Sequence, residues 1–147
     1  MIVVGVDGSD GARRALEFAV QEAVIRDSDL RIVCAWHIPS QFFVGGLLTA
    51  PLDMDAFEAS TRAPAEQLIA EVVDGRDGVR HELVTREGNA AVVLVEESER
   101  AELLIVGSRG LGGFSSLMLG SVSQQCAAHA HCPVAIVPAQ VRLRPIG

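Results

Sequence analysis

Lysine is absent from all 147 residues, and so is tyrosine. A Walker A loop needs the lysine of its GK[ST] ending, a protein kinase needs one against the nucleotide phosphates, and a Schiff-base enzyme needs its amine, so none of the three fits. The three cysteines, Cys34, Cys126 and Cys132, are an odd number at spacings that suit no disulfide framework, and a reducing cytoplasm is the expected home. The longest unbroken apolar run, residues 90–95, is far short of the roughly 18 residues of a membrane helix. No basic segment followed by an apolar one opens the chain, so export is not expected either. Twelve basic residues against nineteen acidic ones leave a net charge of −7, which repels nucleic acid and anionic lipid at long range.

What is present is a regular alternation. Residues 2–6 read IVVGV, a β-branched run without polar alternation, as in a strand buried on both faces of a parallel sheet. Ala12, Ala15, Leu16, Ala19, Val20, Ala23 and Val24 then follow the spacing of one helix face, with Ser9 or Asp10 as cap. Further strands are expected at 30–36, 79–85 (nearer a sheet edge), 103–106 and 134–137. Helices are expected at 53–73, which Pro64 should kink or split, from a cap at Asn89 to about residue 100, and from Gly120 to about residue 130. Residues 37–52, with Pro39, Gly45, Gly46 and Pro51, read as a long irregular loop. The pattern predicts one α/β domain over 1–147, an open five-stranded parallel sheet with helices on both faces. Such sheets bind ligands at the carboxyl ends of their strands, where the strand order reverses.

The turn after the fourth strand carries the chemistry: Gly107-Ser108-Arg109-Gly110, nine residues, then Gly120-Ser121-Val122-Ser123. Glycines at 107, 110, 112 and 113 are expected to allow positive φ and close approach of a ligand to main-chain N–H groups. The helix that begins beyond Gly120 adds unpaired amides and the hydroxyls of Ser121 and Ser123, which suits a polyphosphate. The alternative is a plain connector with Ser121 as helix cap.

With its G-x2-G-x9-G-S spacing after the fourth strand, the sequence resembles the ATP-binding branch of the universal stress proteins. The stretches 2–9 (IVVGVDGS), 103–110 (LLIVGSRG), 119–123 (LGSVS) and 132–138 (CPVAIVP) look like that family in the same order. The resemblance implies a Rossmann-like, nucleotide-binding α/β sandwich that holds ATP, with Mg²⁺ as an optional companion. It implies that Asp7 lies beside the nucleotide, with Gly8 and Ser9 in the adjoining turn, and that the backbone at Trp36 meets adenine. Gly107 would border the adenosine; Gly110, Gly120, Ser121, Val122 and Ser123 would hold phosphates, with Arg109 the nearest cation. It also implies a homodimer through the last strand, which Val141, Leu143 and Ile146 could extend.

Other constellations fit less well. The glycine interval in Gly5-Val6-Asp7-Gly8-Ser9-Asp10-Gly11 is wrong for a dinucleotide fingerprint, G-x-S-x-G is absent, and Cys126, His129, His131 and Cys132 lack paired metal-ligand spacing. The expected function is an adenine-nucleotide-binding regulatory or ligand-sensing module in the stress response, with no strong catalytic set. The alternatives are a slow Mg²⁺-dependent ATP hydrolase using Asp7, and a nucleotide-free interaction protein of the same fold.

Overall fold

The computed structural model describes residues 1–38, 40–45, 47–48, 51, 53–76, 78–111, 119–140 and 143. In chain order the elements are β1 (Ile2–Gly5), α1 (Asp10–Arg26), β2 (Leu30–Trp36), a 3₁₀ turn (Ser40–Phe42), β3 (Phe43–Val44), β4 (Leu47–Leu48), α2 (Met54–Val72), β5 (His81–Glu87), α3 (Ala90–Ser98), β6 (Leu103–Gly107), α4 (Ser121–His129) and β7 (Val134–Val137). Five strands form one sheet in the order β5-β2-β1-β6-β7 with every neighbouring pair parallel, and β3 and β4 make a separate antiparallel pair. The expected α/β architecture is therefore the observed one.

Strand periodicity sorts the core into two layers. Ile2 and Val4 of β1, with Ile32 and Ile105 beside them, pack on α1 and α2 through Leu16, Ala19, Leu68 and Val72. Val3, Val33, Leu104 and Val106 point the other way, onto Val93 and Leu94 of α3 and Cys126 of α4. The chain builds outward from β1 through β2 to β5, then returns to β6 on the other side of β1 and ends at β7. The order reverses between β1 and β6, and that is where such a sheet leaves a crevice.

Four expectations shift. Pro64 does not split its helix: α2 runs unbroken from Met54 to Val72. Burial of Ala65, Leu68, Ile69 and Val72 on one stripe outweighs a local cost of about 3 kcal/mol. The edge strand lies at the expected edge but begins two residues later, because Leu30 pairs with His81. The 37–52 segment is not wholly irregular; it holds the 3₁₀ turn and the β3–β4 pair, and Phe42 sets its ring edge-on to Phe57 of α2 at 5.5 Å. Finally, Val24 does not share the buried face of α1 but is 44% exposed. The start of α4 is the expected one, with Gly120 as cap and Ser121 the first helical residue. Gly46, Gly112, Gly113, Val141, Arg142, Arg144 and Ile146 lie outside the described residues.

Candidate functional site

A cleft of about 410 Å³ opens at the crevice between β1 and β6. Its apolar wall comes from the ends of β1, β2 and β6 and the first turns of α3, through Val33, Ala35, Ala90, Leu94 and Val106. Its polar wall is the β1–α1 turn (Asp7, Ser9), the β6 exit (Gly107, Arg109, Gly110, Leu111) and the start of α4 (Gly120, Ser121, Val122, Ser123). One side suits a flat apolar ring system and the other an anion.

Three helices point their N-termini at this cleft, as parallel strands with right-handed crossovers require. Two bring their own cap. The Ser9 hydroxyl accepts from the Ala12 amide at 3.1 Å on α1, and the Asn89 side-chain oxygen Oδ1 accepts from the Ala91 and Val92 amides at 3.0 and 3.4 Å on α3. At α4 the cap residue is Gly120, which has no side chain to offer, and the first intrahelical bond runs from the Gln124 amide to the Gly120 carbonyl at 3.0 Å. The amides of Ser121, Val122 and Ser123 therefore have no acceptor among the described residues. Orphan amides and the positive end of the helix dipole coincide there.

Most of the sequence-derived site residues line the cleft, whereas Gly8 and Trp36 do not. Gly8, at φ 82°, makes the turn that lets the Asp7 carboxylate accept from the Ser9 amide at 2.9 Å. The Trp36 carbonyl faces the sheet edge, where the Gly88 amide donates to it at 2.8 Å. Val33 faces the opposite way, its carbonyl accepting from the Val6 amide at 2.9 Å. Two residues on, Ala35 repeats the orientation of Val33, so its peptide groups turn toward the space beyond the end of β1. Ala35, Ala90 and Leu94 were missed by sequence reasoning. Strand alternation counted from Val33 would have singled out Ala35; nothing in the sequence marks Ala90 or Leu94.

The glycines at the β6 exit have a different cause from the expected one. Positive φ occurs at Gly8, Gly45, Gly75, Gly78 and Gly88, and not at Gly107 or Gly110. A Cβ on Gly107 would lie 2.7 Å from the Gly11 carbonyl carbon, and one on Gly110 would strike Asp7 Oδ2. Gly107 is side-chain-free because the β6 exit packs against the first turn of α1, and Gly110 because it stands against the Asp7 carboxylate. Ser123 is buried, and its hydroxyl lies 2.9 Å from the Gly120 carbonyl and 3.1 Å from the Ser108 carbonyl, closing the ends of the loop rather than facing outward. Arg109 forms no ion pair among the described residues, which leaves it as the cation of the cleft. Beneath the floor, burial first and then the charge of Asp7 push the Cys34 thiol up to about 11; burial alone does the same to Cys126. Both stay protonated at neutral pH, which excludes a thiolate nucleophile. No group of three or more His, Cys, Asp or Glu placed to hold a metal occurs among the described residues.

Comparison with known proteins agrees with this architecture. A model of the universal stress protein family matches residues 1–138. A universal stress protein of Mycobacterium tuberculosis is 34% identical over 140 residues, covering 95% of this chain and 48% of that protein. The chain thus spans about half the length of that relative. Among solved structures, a universal stress protein in complex with cAMP is 27% identical, with a TM-score of 0.60 and coverage of 95% and 96% of the two chains. A universal stress protein from Archaeoglobus fulgidus in complex with dAMP is 26% identical, with a TM-score of 0.61 and coverage of 92% and 95%. Glycine spacing, sheet order and sequence match converge: this chain belongs to the universal stress protein family.

Proposed function

We propose that the cleft binds an adenine nucleotide, with ATP as the ligand, and that the protein acts as a regulatory or ligand-sensing module in the stress response rather than as an enzyme. The observation that carries the reading is the uncapped N-terminus of α4, the one helix end at the cleft with no oxygen of its own. A phosphate supplies the missing acceptor. The apolar wall at Val33, Ala35, Ala90 and Leu94 takes the base, and the peptide groups of Ala35 offer it a donor and an acceptor. Two relatives are solved with cAMP and with dAMP, which supports an adenine ligand. Mg²⁺, where present, arrives on the phosphates, since Asp7 is the one carboxylate lining the cleft among the described residues. Both oxygens of Asp7 already accept backbone amides, which supports a structural part for this carboxylate over that of a general base.

Gly120→Asp tests this. Gly120 has φ −74° and ψ 164°, which any residue adopts, and a Cβ there meets nothing closer than 3.4 Å. The new carboxylate caps α4 and occupies the anion position. Thermal stability is expected to hold or rise by a few tenths of a kcal/mol, while calorimetric affinity for ATP with Mg²⁺ falls at least about tenfold. Unchanged affinity in the variant, or no nucleotide binding by the wild type, overturns the reading.

A further inference from the structure

Among the described residues, the side-chain ties from α3 to other elements lie in its last turn. Glu97 accepts from Arg31 of β2 and from Arg86 of β5, each at 3.0 Å. Arg31 also donates to Glu82, and Arg86 to Glu96, both at 2.7 Å, so one chain of charges runs across β2, β5 and α3. On the other flank the Ser98 hydroxyl accepts from the His131 amide at 2.9 Å. The earlier turns bring Ala90 and Leu94 to the cleft, and Leu94 packs there into the apolar layer with Val33 and Val106.

The spacing puts the ties and the cleft wall on one line. Ala90, Leu94 and Glu97 share a helix face, and Arg31, Val33 and Ala35 alternate onto one face of β2. The slot between α3 and β2 is therefore lined by Ala90, Leu94, Val33 and Ala35 at the cleft and closed by the Arg31–Glu97 pair at its far end. Its floor is Gly5 of β1. A Cβ there would lie 2.7 Å from Leu94 Cδ1, so Leu94 rests directly on the β1 backbone and any shift of α3 moves a cleft wall. Apolar contact is non-directional and holds a helix down without fixing where it sits; two arginines on two different strands do fix it.

From this geometry we infer that Glu97 is a positioning residue for the base: by pinning the last turn of α3 to β2 and β5, it sets the width of the apolar slot between Leu94 and Ala35. The anion end of the cleft has a separate anchor, since the Gly120 amide and the Ser123 hydroxyl both donate to the Ser108 carbonyl at the end of β6. A glutamine at 97 has one side-chain oxygen and turns its NH₂ toward the second guanidinium, so it keeps one arginine and not both.

For its ligand arm this role rests on the nucleotide reading. With ATP and inorganic tripolyphosphate as calorimetric probes, Glu97→Gln is expected to weaken ATP at least about fivefold and leave tripolyphosphate within about twofold. Glu96→Gln, which removes only the outer partner of Arg86, should leave both probes within about twofold. Gly5→Ala reaches the same wall from beneath, because Leu94 has to turn; it is expected to weaken ATP and spare tripolyphosphate in the same way. Equal losses for the two probes mean a general loosening of the fold and overturn the inference, as does unchanged ATP affinity in Glu97→Gln or Gly5→Ala. In ligand-free protein, the proton cross-peak between Gly5 Hα and the Leu94 methyls is expected to weaken in Glu97→Gln and persist in Glu96→Gln. An unchanged cross-peak in Glu97→Gln also overturns the positioning role. Should the wild type not bind ATP, the nucleotide reading fails while the cross-peak still decides whether Glu97 places α3.

Discussion

At the scale of single residues, the cleft depends on side chains that are absent. Gly107 and Gly11 place the end of β6 against the first turn of α1 at backbone-to-backbone distance, a contact no rotamer change can relieve. Gly107→Ala is therefore expected to lower stability by about 1–3 kcal/mol, measured by urea unfolding. Gly5→Ala is the control: its Cβ would lie 2.7 Å from Leu94 Cδ1, the far end of a side chain that can turn, and the loss is expected to be smaller. An equal loss in the two variants would show that backbone closeness is not the constraint. The same contrast explains what could be read from the sequence. The G-x2-G-x9-G-S spacing leads to residues that line the cleft, but a string of letters does not say whether a glycine is there for its φ, for a ligand or for a neighbouring helix. That distinction exists only once α1 and β6 are brought together in space. Ala35 was hidden for a related reason, since its cleft-facing groups belong to the backbone and carry no residue-type signature.

At the scale of elements, helix ends and strand faces were legible because their causes are local. Ser9, Asp53 and Asn89 each accept amides at the start of their helices, and each precedes an apolar-periodic run in the sequence. Pro64 misled because its effect is local whereas the force that keeps α2 whole is burial against the sheet. The ion pairs that add to the packing of α3 on β2 and tie it to β5 were equally invisible, since they join residues far apart in sequence. Glu97 on α3 accepts from Arg31 of β2 and Arg86 of β5, both at 3.0 Å, and its side chain is only 10% exposed. Burial pushes the Glu97 carboxyl up, but the two arginine hydrogen bonds overcome it and hold the group below the ordinary carboxylate range. A group depressed in the folded state adds stability above the unfolded pKa and loses it as pH falls through the folded one. Glu97→Gln is expected to cost about 1–2 kcal/mol at neutral pH. The gap from wild type should narrow under acid, once both states of Glu97 are protonated, as read from urea midpoints across the acid range. A gap constant with pH would mean that the carboxylate charge contributes nothing.

At the scale of the whole molecule, the sheet has two free edges of opposite character. β5 carries His81, Glu82, Arg86 and Glu87, and Arg86 and Glu82 are held in the ion pairs that tie this edge to α3 and β2. β7 reads Val-Ala-Ile-Val with no charge at all. Charged side chains on an edge discourage further pairing, and their absence invites it. Side-chain packing leaves the backbone of β7 as the available surface, because Val134 and Ile136 pack toward α4 while Ala135 and Val137 pack toward α1. The carbonyls of Pro133 and Val137 accept from the Leu104 and Ser108 amides of β6. By alternation the peptide groups of Val134 and Ile136 then face away from the sheet, where a second copy of the strand can pair with them. We expect sedimentation at micromolar concentration to give a dimer. Val134→Pro removes an outward amide without touching the bonds to β6, and should sediment as a monomer with its fold and nucleotide affinity retained. A wild-type monomer, or a proline variant that stays dimeric, would move the contact away from β7.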